Sequence, residues 1–397
     1  MTPLFRKILG INWVILITMA GLLAFGVFAI YSASWMRSAQ AVVESPYQQT
    51  KYIGVGVLVF ALTCIIDYRW IRWLAVPAYI AGVVFLIVLR VTGEVKSGAV
   101  SWLDLGPISF QPSQVAIIGG ILILSVALGE LHRLHPVFRN HLLRLSISVV
   151  LVSIPFGLIA TEPDVGSACV WGPVAACMLM VANIPFRYLV VLSLMTLIAM
   201  PLLYWFGLKD YQRSRIRVFF QAIQGEEIDR RGSGYDTSNV ITAIGSAGWE
   251  GKGHKGSRIK RDDPDAQTLT EMGLISQTVI ISDYIFSVVA EEHGFRGAMI
   301  LITAFLLLLL QCLFVAFYSR DQMGRLIVVG AVTLLFVHVF MNIGMTIQLV
   351  PITGLPLPFV SKGGTFVVIC MFLIGLVQSV WIHRNEPDYS DDKSLFY

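Results

Sequence analysis

Long apolar stretches constrain this chain more than any motif in it. Residues 11–31 carry no charged side chain, and 295–317 carry one. A run of about twenty such residues is what crosses the hydrocarbon core of a bilayer as a helix. Charge is scarce throughout: 14% of the 397 residues are Asp, Glu, Lys or Arg, and 56% are hydrophobic. Soluble domains carry roughly a quarter charged residues, so this chain is not solvated on all sides. The expected fold class is an all-α polytopic membrane protein. Ten spans are expected, at about 11–31, 52–66, 73–89, 115–129, 145–160, 168–184, 188–206, 295–317, 325–347 and 364–383. The first is long for the apolar region of a signal peptide and nine spans follow it, so it is read as a retained helix.

An even number of spans puts both termini on one side, and the distribution of Lys and Arg selects that side. Arg6, Lys7, Arg69, Arg72, Arg133, Arg139, Arg144, Arg187, Arg320, Arg325 and Arg384 fall on the side of the termini. The short loops of the other side hold Arg37, Lys51, Arg90, Lys96 and Lys362. Both termini are therefore expected in the cytoplasm, with 90–114, 161–167, 207–283 and 348–363 facing outward. Residues 1–385 read as one ten-span domain with a large extracytoplasmic loop at 207–283, and 386–397 as a short cytoplasmic tail. That loop holds 22 of the chain's 54 charged residues, and a loop of such length is seldom an idle connector. A solvated spacer is the alternative. The net charge of +4 is too small to suggest a nucleic-acid partner. Cys64, Cys169, Cys177, Cys312 and Cys370 all fall within apolar runs, without metal or disulfide spacing, and read as small buried hydrophobes.

Four outward stretches carry unusual sequence. "GKGHKG" at 251–256 matches GxGxxG, but no strand precedes it and no helix follows, so its glycines are expected to permit a tight turn. In "TEPDVGSA" (161–168), Asp164 either caps the next helix or serves a functional site. In "SWLDLGPISFQPSQ" (101–114), Trp102 is either an interfacial anchor or a platform for a sugar ring. "PITGLPLPFVSKGG" (351–364) sets prolines and glycines at a membrane boundary. Irregular backbone there is tolerated only against protein or a water-filled cavity, so this stretch is expected to line one. In "SDYIFSVVAEEHGFRG" (282–297), a continuous helix would place Asp283, Ser287 and Glu291 on one face, with the two acids roughly 12 Å apart along the axis. Glu292 would point nearly opposite. Acids in such surroundings either pair between helices or do chemistry. Asp283 is the one expected to react, Glu291 to order the cavity, and Glu292 to pair with another helix.

Segments 101–114, 161–168, 211–216 ("YQRSRI"), 232–256, 282–297 and 342–364 together resemble the SEDS family (shape, elongation, division, sporulation), most closely its RodA branch. The resemblance covers essentially the whole membrane region. It implies a ten-span peptidoglycan glycosyltransferase that polymerises lipid II on the outer face of the cytoplasmic membrane. It also implies work with a class B penicillin-binding protein, for cell-wall elongation and cell shape. The family's essential aspartate falls on Asp283, which would act as general base on the acceptor sugar's 4-hydroxyl. Undecaprenyl pyrophosphate would leave, helped by a divalent cation such as Mg or Mn. Arg213 and Arg215 are candidates for the charge facing that leaving group. Trp102, Gln111, Ser113, Gln114, Asp164, Asn239, Glu291, Ser361 and Lys362 are the further expected substrate-binding residues. The chain departs from the family at Gln48, Ser101, Gln114, Ile117, Asn239 and Lys362, where the resemblance implies a basic residue, Arg, Glu, Lys, Gln and Tyr respectively. About a dozen extra residues lie between Gly256 and Asp283. Two rivals stand beside the polymerase: a transporter of lipid-linked precursors, and a weakly active scaffold for a penicillin-binding protein.

Overall fold

The computed structural model describes residues 7, 9–34, 39–92, 103–105, 108–131, 135–162, 165–202, 205, 210–224, 235–253, 268 and 275–385. Ten helices among them stand where spans are expected. They are α1 (Trp13–Ser34), α2 (Ala39–Ile65), α3 (Ile71–Thr92), α4 (Pro112–Gly129), α5 (His141–Thr161), α6 (Val165–Val181), α7 (Phe186–Leu202), α11 (Ile285–Phe317), α12 (Gln322–Thr346) and α13 (Gly364–Ile382). Eight are long and apolar enough to cross a membrane; α6 and α7 have 17 residues each and are shorter. The chain is a multi-pass membrane protein. In the large loop lie α8 (Asp210–Gln224), α9 (Tyr235–Ser246) and the short α10 (Gln277–Ser282). All-α therefore holds for the spans, with one addition. Strands β1 (Leu103–Leu105) and β2 (Ile108–Phe110) form an antiparallel hairpin just before α4.

One boundary differs from expectation. Helix α2 starts at Ala39 rather than near residue 52, because Pro46, a breaker in soluble helices, is accommodated inside it. Helix α11 is kinked at Gly294, whose φ 64° and ψ −164° are not helical: Glu291 and Glu292 lie in the segment before the kink, and the apolar segment after it begins where the span near 295 is expected. Both carboxylates have partners, which offsets the cost of acids beside an apolar span. The expected tail, 386–397, lies outside the described residues, as does most of the insertion before Asp283.

Burial separates the helices into two classes. In α4, α12 and α13, 78%, 72% and 67% of the apolar window is buried, against 22% in both α2 and α5. The first three form the centre, and helices such as α2 and α5 present apolar side chains to lipid. Small residues let the centre close: a Cβ on Gly119 would stand 2.8 Å from the Ala78 carbonyl oxygen of α3. At the end of the bundle away from Asp283, polar groups tie the chain's extremes together. Gln378 donates to the Asn12 carbonyl (2.8 Å) and accepts from the Asn12 N–H (3.0 Å).

Candidate active site

A helix leaves its last carbonyls without partners, and α10 ends at Ser282. Three consecutive orphans there are taken up by distant segments. Lys362 N–H donates to the Ile281 carbonyl (2.9 Å), the Ser361 hydroxyl to that of Ser282, and Asn342 Nδ2 to that of Asp283 (2.8 Å). The second Asn342 bond, to the Leu355 carbonyl at 2.7 Å, ties α12 to residues 351–363. This capping explains a correction. Asp283 and Tyr284 form a break between α10 and α11, so Asp283 does not share a helix with Glu291.

At that break Asp283 is half-buried. Its Oδ2 lies 3.4 Å from where a Cβ on Gly354 would stand, and Gly354 has φ +69°. Burial lifts the carboxyl to about 6, against the opposing pull of a Ser282 hydrogen bond and the Arg215 guanidinium. A carboxyl near 6 is charged at neutral pH and more basic than an ordinary Asp, as a general base needs. Arg215 also donates to the Ile352 carbonyl (3.5 Å), so it bridges α8 to the same segment that carries Gly354. Tyr284 has Asp236 on α9 as a further charged neighbour, and burial and both acids push its hydroxyl up. Asp236 was not singled out in the sequence, where nothing distinguishes it from other loop acids.

Residues 351–363, expected to line a cavity, pack against the bundle. Leu355, Leu357, Phe359 and Val360 are buried, and a Cβ on Gly26 of α1 would meet the Phe359 carbonyl oxygen at 2.5 Å. Ser361 fixes the segment's end by accepting from Leu357 N–H (2.8 Å) while donating to Ser282. Beyond this segment lies a neutral polar group. Gln111 Nε2 is 3.3 Å and Ser113 Oγ 3.0 Å from Ser167 Oγ, and the preceding Gly166 packs on the Thr353 carbonyl, next to Gly354. Gln114 is 2% exposed with neither amide atom hydrogen-bonded, and Ile117 is fully buried. Where the family carries two charges, this chain has an amide and an alkyl side chain. Losing both partners of a buried pair costs less than losing one.

The remaining expected residues scatter. Arg213 Nη2 donates to the Trp205 carbonyl at 2.7 Å, away from the contacts that join Arg215 to Asp283. Asn239 lies on α9 with its Nδ2 buried and without a hydrogen-bond partner. Trp102 and Asp164 lie outside the described residues. Glu292 pairs with Ser32 of α1 (2.7 and 2.9 Å), as expected of an interhelical partner.

Glu291, expected to order the cavity, pairs with the turn after α9. It is 1% exposed and bridges to Lys252 at 3.1 Å. The turn after α9 docks there: Lys252 and Gly253 N–H donate to the Glu291 and Glu292 carbonyls (both 2.9 Å), and Phe295 N–H to Gly248 (3.0 Å). The "GKGHKG" glycines do permit the turn, with Gly251 at φ +82° and Gly253 at φ +79°. Helix α9 is thereby pinned along the first turns of α11, which brings Asp236 near Tyr284. Lys252→Met should cost about 3 kcal/mol by stranding a buried carboxylate. Lys252→Met/Glu291→Leu should melt higher than Lys252→Met alone, measured by thermal unfolding in detergent.

Among the described residues no three of His, Cys, Asp and Glu come together, and the charged neighbour of Asp283 is Arg215.

The model of the cell cycle protein family of FtsW, RodA and SpoVE matches residues 12–386. The peptidoglycan glycosyltransferase MrdB of Escherichia coli K12 is 30% identical over 370 residues, covering 93% of each chain. The probable peptidoglycan glycosyltransferase FtsW of Geobacter metallireducens is 30% identical over 382 residues, covering 94% of this chain and 96% of that one. Among solved structures, a chain from a peptidoglycan synthase complex that coordinates polymerization and crosslinking superposes with TM-score 0.75. It is 26% identical, over 95% of this chain and 99% of that one. The rod shape determining protein RodA of Thermus thermophilus superposes with TM-score 0.66 at 25% identity, over 95% and 98%.

Proposed function

The chain belongs to the FtsW/RodA/SpoVE family and is a peptidoglycan glycosyltransferase, and from that premise we propose that it polymerises lipid II with Asp283 as general base. The observation that carries this reading is the capped break at 281–283, which holds one carboxylate, raised to about 6, beside Arg215 in a wall of irregular backbone. In the proposed step the acceptor sugar's 4-hydroxyl oxygen bonds to C1 of the lipid-linked donor. The C1–O bond to the diphosphate breaks, and the hydroxyl proton passes to Asp283. Undecaprenyl diphosphate leaves with the bonding electrons, and fixed positive charge in the site stabilises it. Asp236 on α9, a charged neighbour of Tyr284, is a candidate for contacts to the sugar. The excess of Lys and Arg at the end away from Asp283 supports cytoplasmic termini and a site on the outer face of the cytoplasmic membrane. The complex that supplied one structural neighbour supports a class B penicillin-binding protein as partner.

The test gives the purified chain, with and without a cognate transpeptidase, lipid II in detergent with divalent cation, and resolves glycan products by length. Glycan ladders are expected. Lipid II carried across proteoliposomes without any ladder would replace the polymerase with a transporter. Neither ladder nor transport under any partner condition would leave the scaffold reading.

A further inference from the structure

Lys362 stands where the family usually has Tyr, and its surroundings fix it closely. Gln49 of α2, 1% exposed, grips the peptide groups on both sides of it: Nε2 donates to the Ser361 carbonyl (3.2 Å), and Oε1 accepts from Gly363 N–H (3.3 Å). Lys362 N–H meanwhile donates to Ile281. Its side chain runs back along α2 by one turn, to Ser45, and Nζ lies 3.2 Å from the Ser45 hydroxyl. Ser45 is 7% exposed. Among the described residues no carboxylate comes within ion-pair distance of this ammonium. Glu44 attracts it from farther away, but Glu44 is exposed and already accepts a hydrogen bond from Gln48 Nε2 at 3.0 Å.

Among the described residues this half-buried ammonium is served by one neutral hydroxyl, which leaves two N–H donors and most of its charge for a ligand. Burial accordingly pulls its pKa down. Arg215 differs in this respect, because its charge already faces Asp283. The Lys362 backbone N–H binds the Ile281 end of the Ile281–Asp283 step and its ammonium runs on to Ser45, whereas Arg215 and Gly354 flank the carboxyl. A displacement at a sugar carbon needs its base at the attacking oxygen and its cation at the leaving oxygen, on opposite sides of the reacting centre.

We propose that Lys362, with the Ser45 hydroxyl, is the phosphoryl-oxyanion site that holds the diphosphate of the lipid-linked donor. This rests on the polymerase reading and assigns its leaving-group contact to Lys362 rather than Arg215. The same oxyanion chemistry is offered by an anionic lipid headgroup, so the test separates the two sources.

The full chain, in phosphatidylcholine nanodiscs, is titrated with farnesyl diphosphate and followed by thermal shift and calorimetry. A second series replaces part of the lipid with phosphatidylglycerol and omits the diphosphate. Lys362→Gln should weaken farnesyl diphosphate binding about tenfold or more, which is about 1.4 kcal/mol or more. Lys362→Arg should restore most of it. In the ladder assay Lys362→Gln should raise KM for lipid II and lower kcat. Unchanged diphosphate binding in Lys362→Gln and in Lys362→Met, with both variants folded, overturns the proposal. So does stabilisation that follows phosphatidylglycerol and Lys362 but not the diphosphate. If the wild type binds the diphosphate through Lys362 yet makes no glycan, the site stands and the polymerase reading falls.

Discussion

Asp283→Asn should abolish glycan polymerisation while making the protein harder to unfold. An amide keeps the shape of the carboxylate and the backbone bonds to Asn342, Ser361 and Lys362, but it cannot take a proton. General bases contribute about 10²–10⁴-fold, so the glycan ladder should fall by at least two orders of magnitude. The wild-type rate should rise with pH through a midpoint near 6, where Asp283 loses its proton. The sign for stability is opposite. The folded carboxyl holds its proton to a higher pH than the ordinary 3.8, so its contribution is least unfavourable below that value. It becomes more unfavourable as pH rises from 3.8 through 6. At neutral pH the burden is about 1–3 kcal/mol, and Asp283→Asn should remove it. Thermal unfolding of wild type and Asp283→Asn at pH 4.5 and 7.5 checks this, with the larger difference expected at 7.5. Full activity in Asp283→Asn would remove it from the chemistry.

Gly294→Ala should be severely destabilising for a single added methyl. Gly294 has φ 64° and ψ −164° inside α11, a region occupied almost only by glycine. A Cβ there would lie 2.3 Å from the backbone nitrogen of Gly251, itself at φ +82°. Neither backbone can yield without breaking the Lys252, Gly253 and Phe295 bonds that dock the turn. Backbone strain and overpacking together amount to roughly 2–6 kcal/mol. Most of the folded protein should be lost in detergent, and whatever survives should polymerise poorly because α9 is no longer held beside Asp283. Gly157→Ala in α5, where a Cβ meets nothing within 4 Å, is the control. It should be neutral or stabilising by about 0.5–1 kcal/mol. Equal melting of Gly294→Ala and wild type would mean that the turn does not need that close approach.

The spans were legible because about twenty consecutive apolar residues have few other places to go than a bilayer. The packing of 351–363 against the bundle was legible for a related reason, since prolines and glycines at membrane depth must be covered by protein. Asp283 stood out as an acid at the edge of an apolar run, and the resemblance gave it a role. Its relation to Glu291 was misjudged. Helical spacing assumes a continuous helix, and the break at 283–284 is made by Ser361, Lys362 and Asn342, residues some 60–80 positions away. Asp236 was missed because only the docking of the 247–253 turn brings α9 alongside α11.

What the chain determined by itself is the number and approximate place of its spans, the presence of an unusually charged loop, and an acid set at the edge of an apolar run. Each of these is local, written in runs of residues whose solvent preference does not depend on the rest of the molecule. What only the tertiary structure decided is who faces whom. It pairs Glu291 with Lys252, sets Arg215 beside Asp283, and among the described residues gives the Lys362 ammonium a hydroxyl rather than a carboxylate. Those outcomes rest on hydrogen bonds between segments far apart in sequence. Partner choice within a buried polar site is a property of the whole packing, because each donor takes the acceptor that packing leaves within reach.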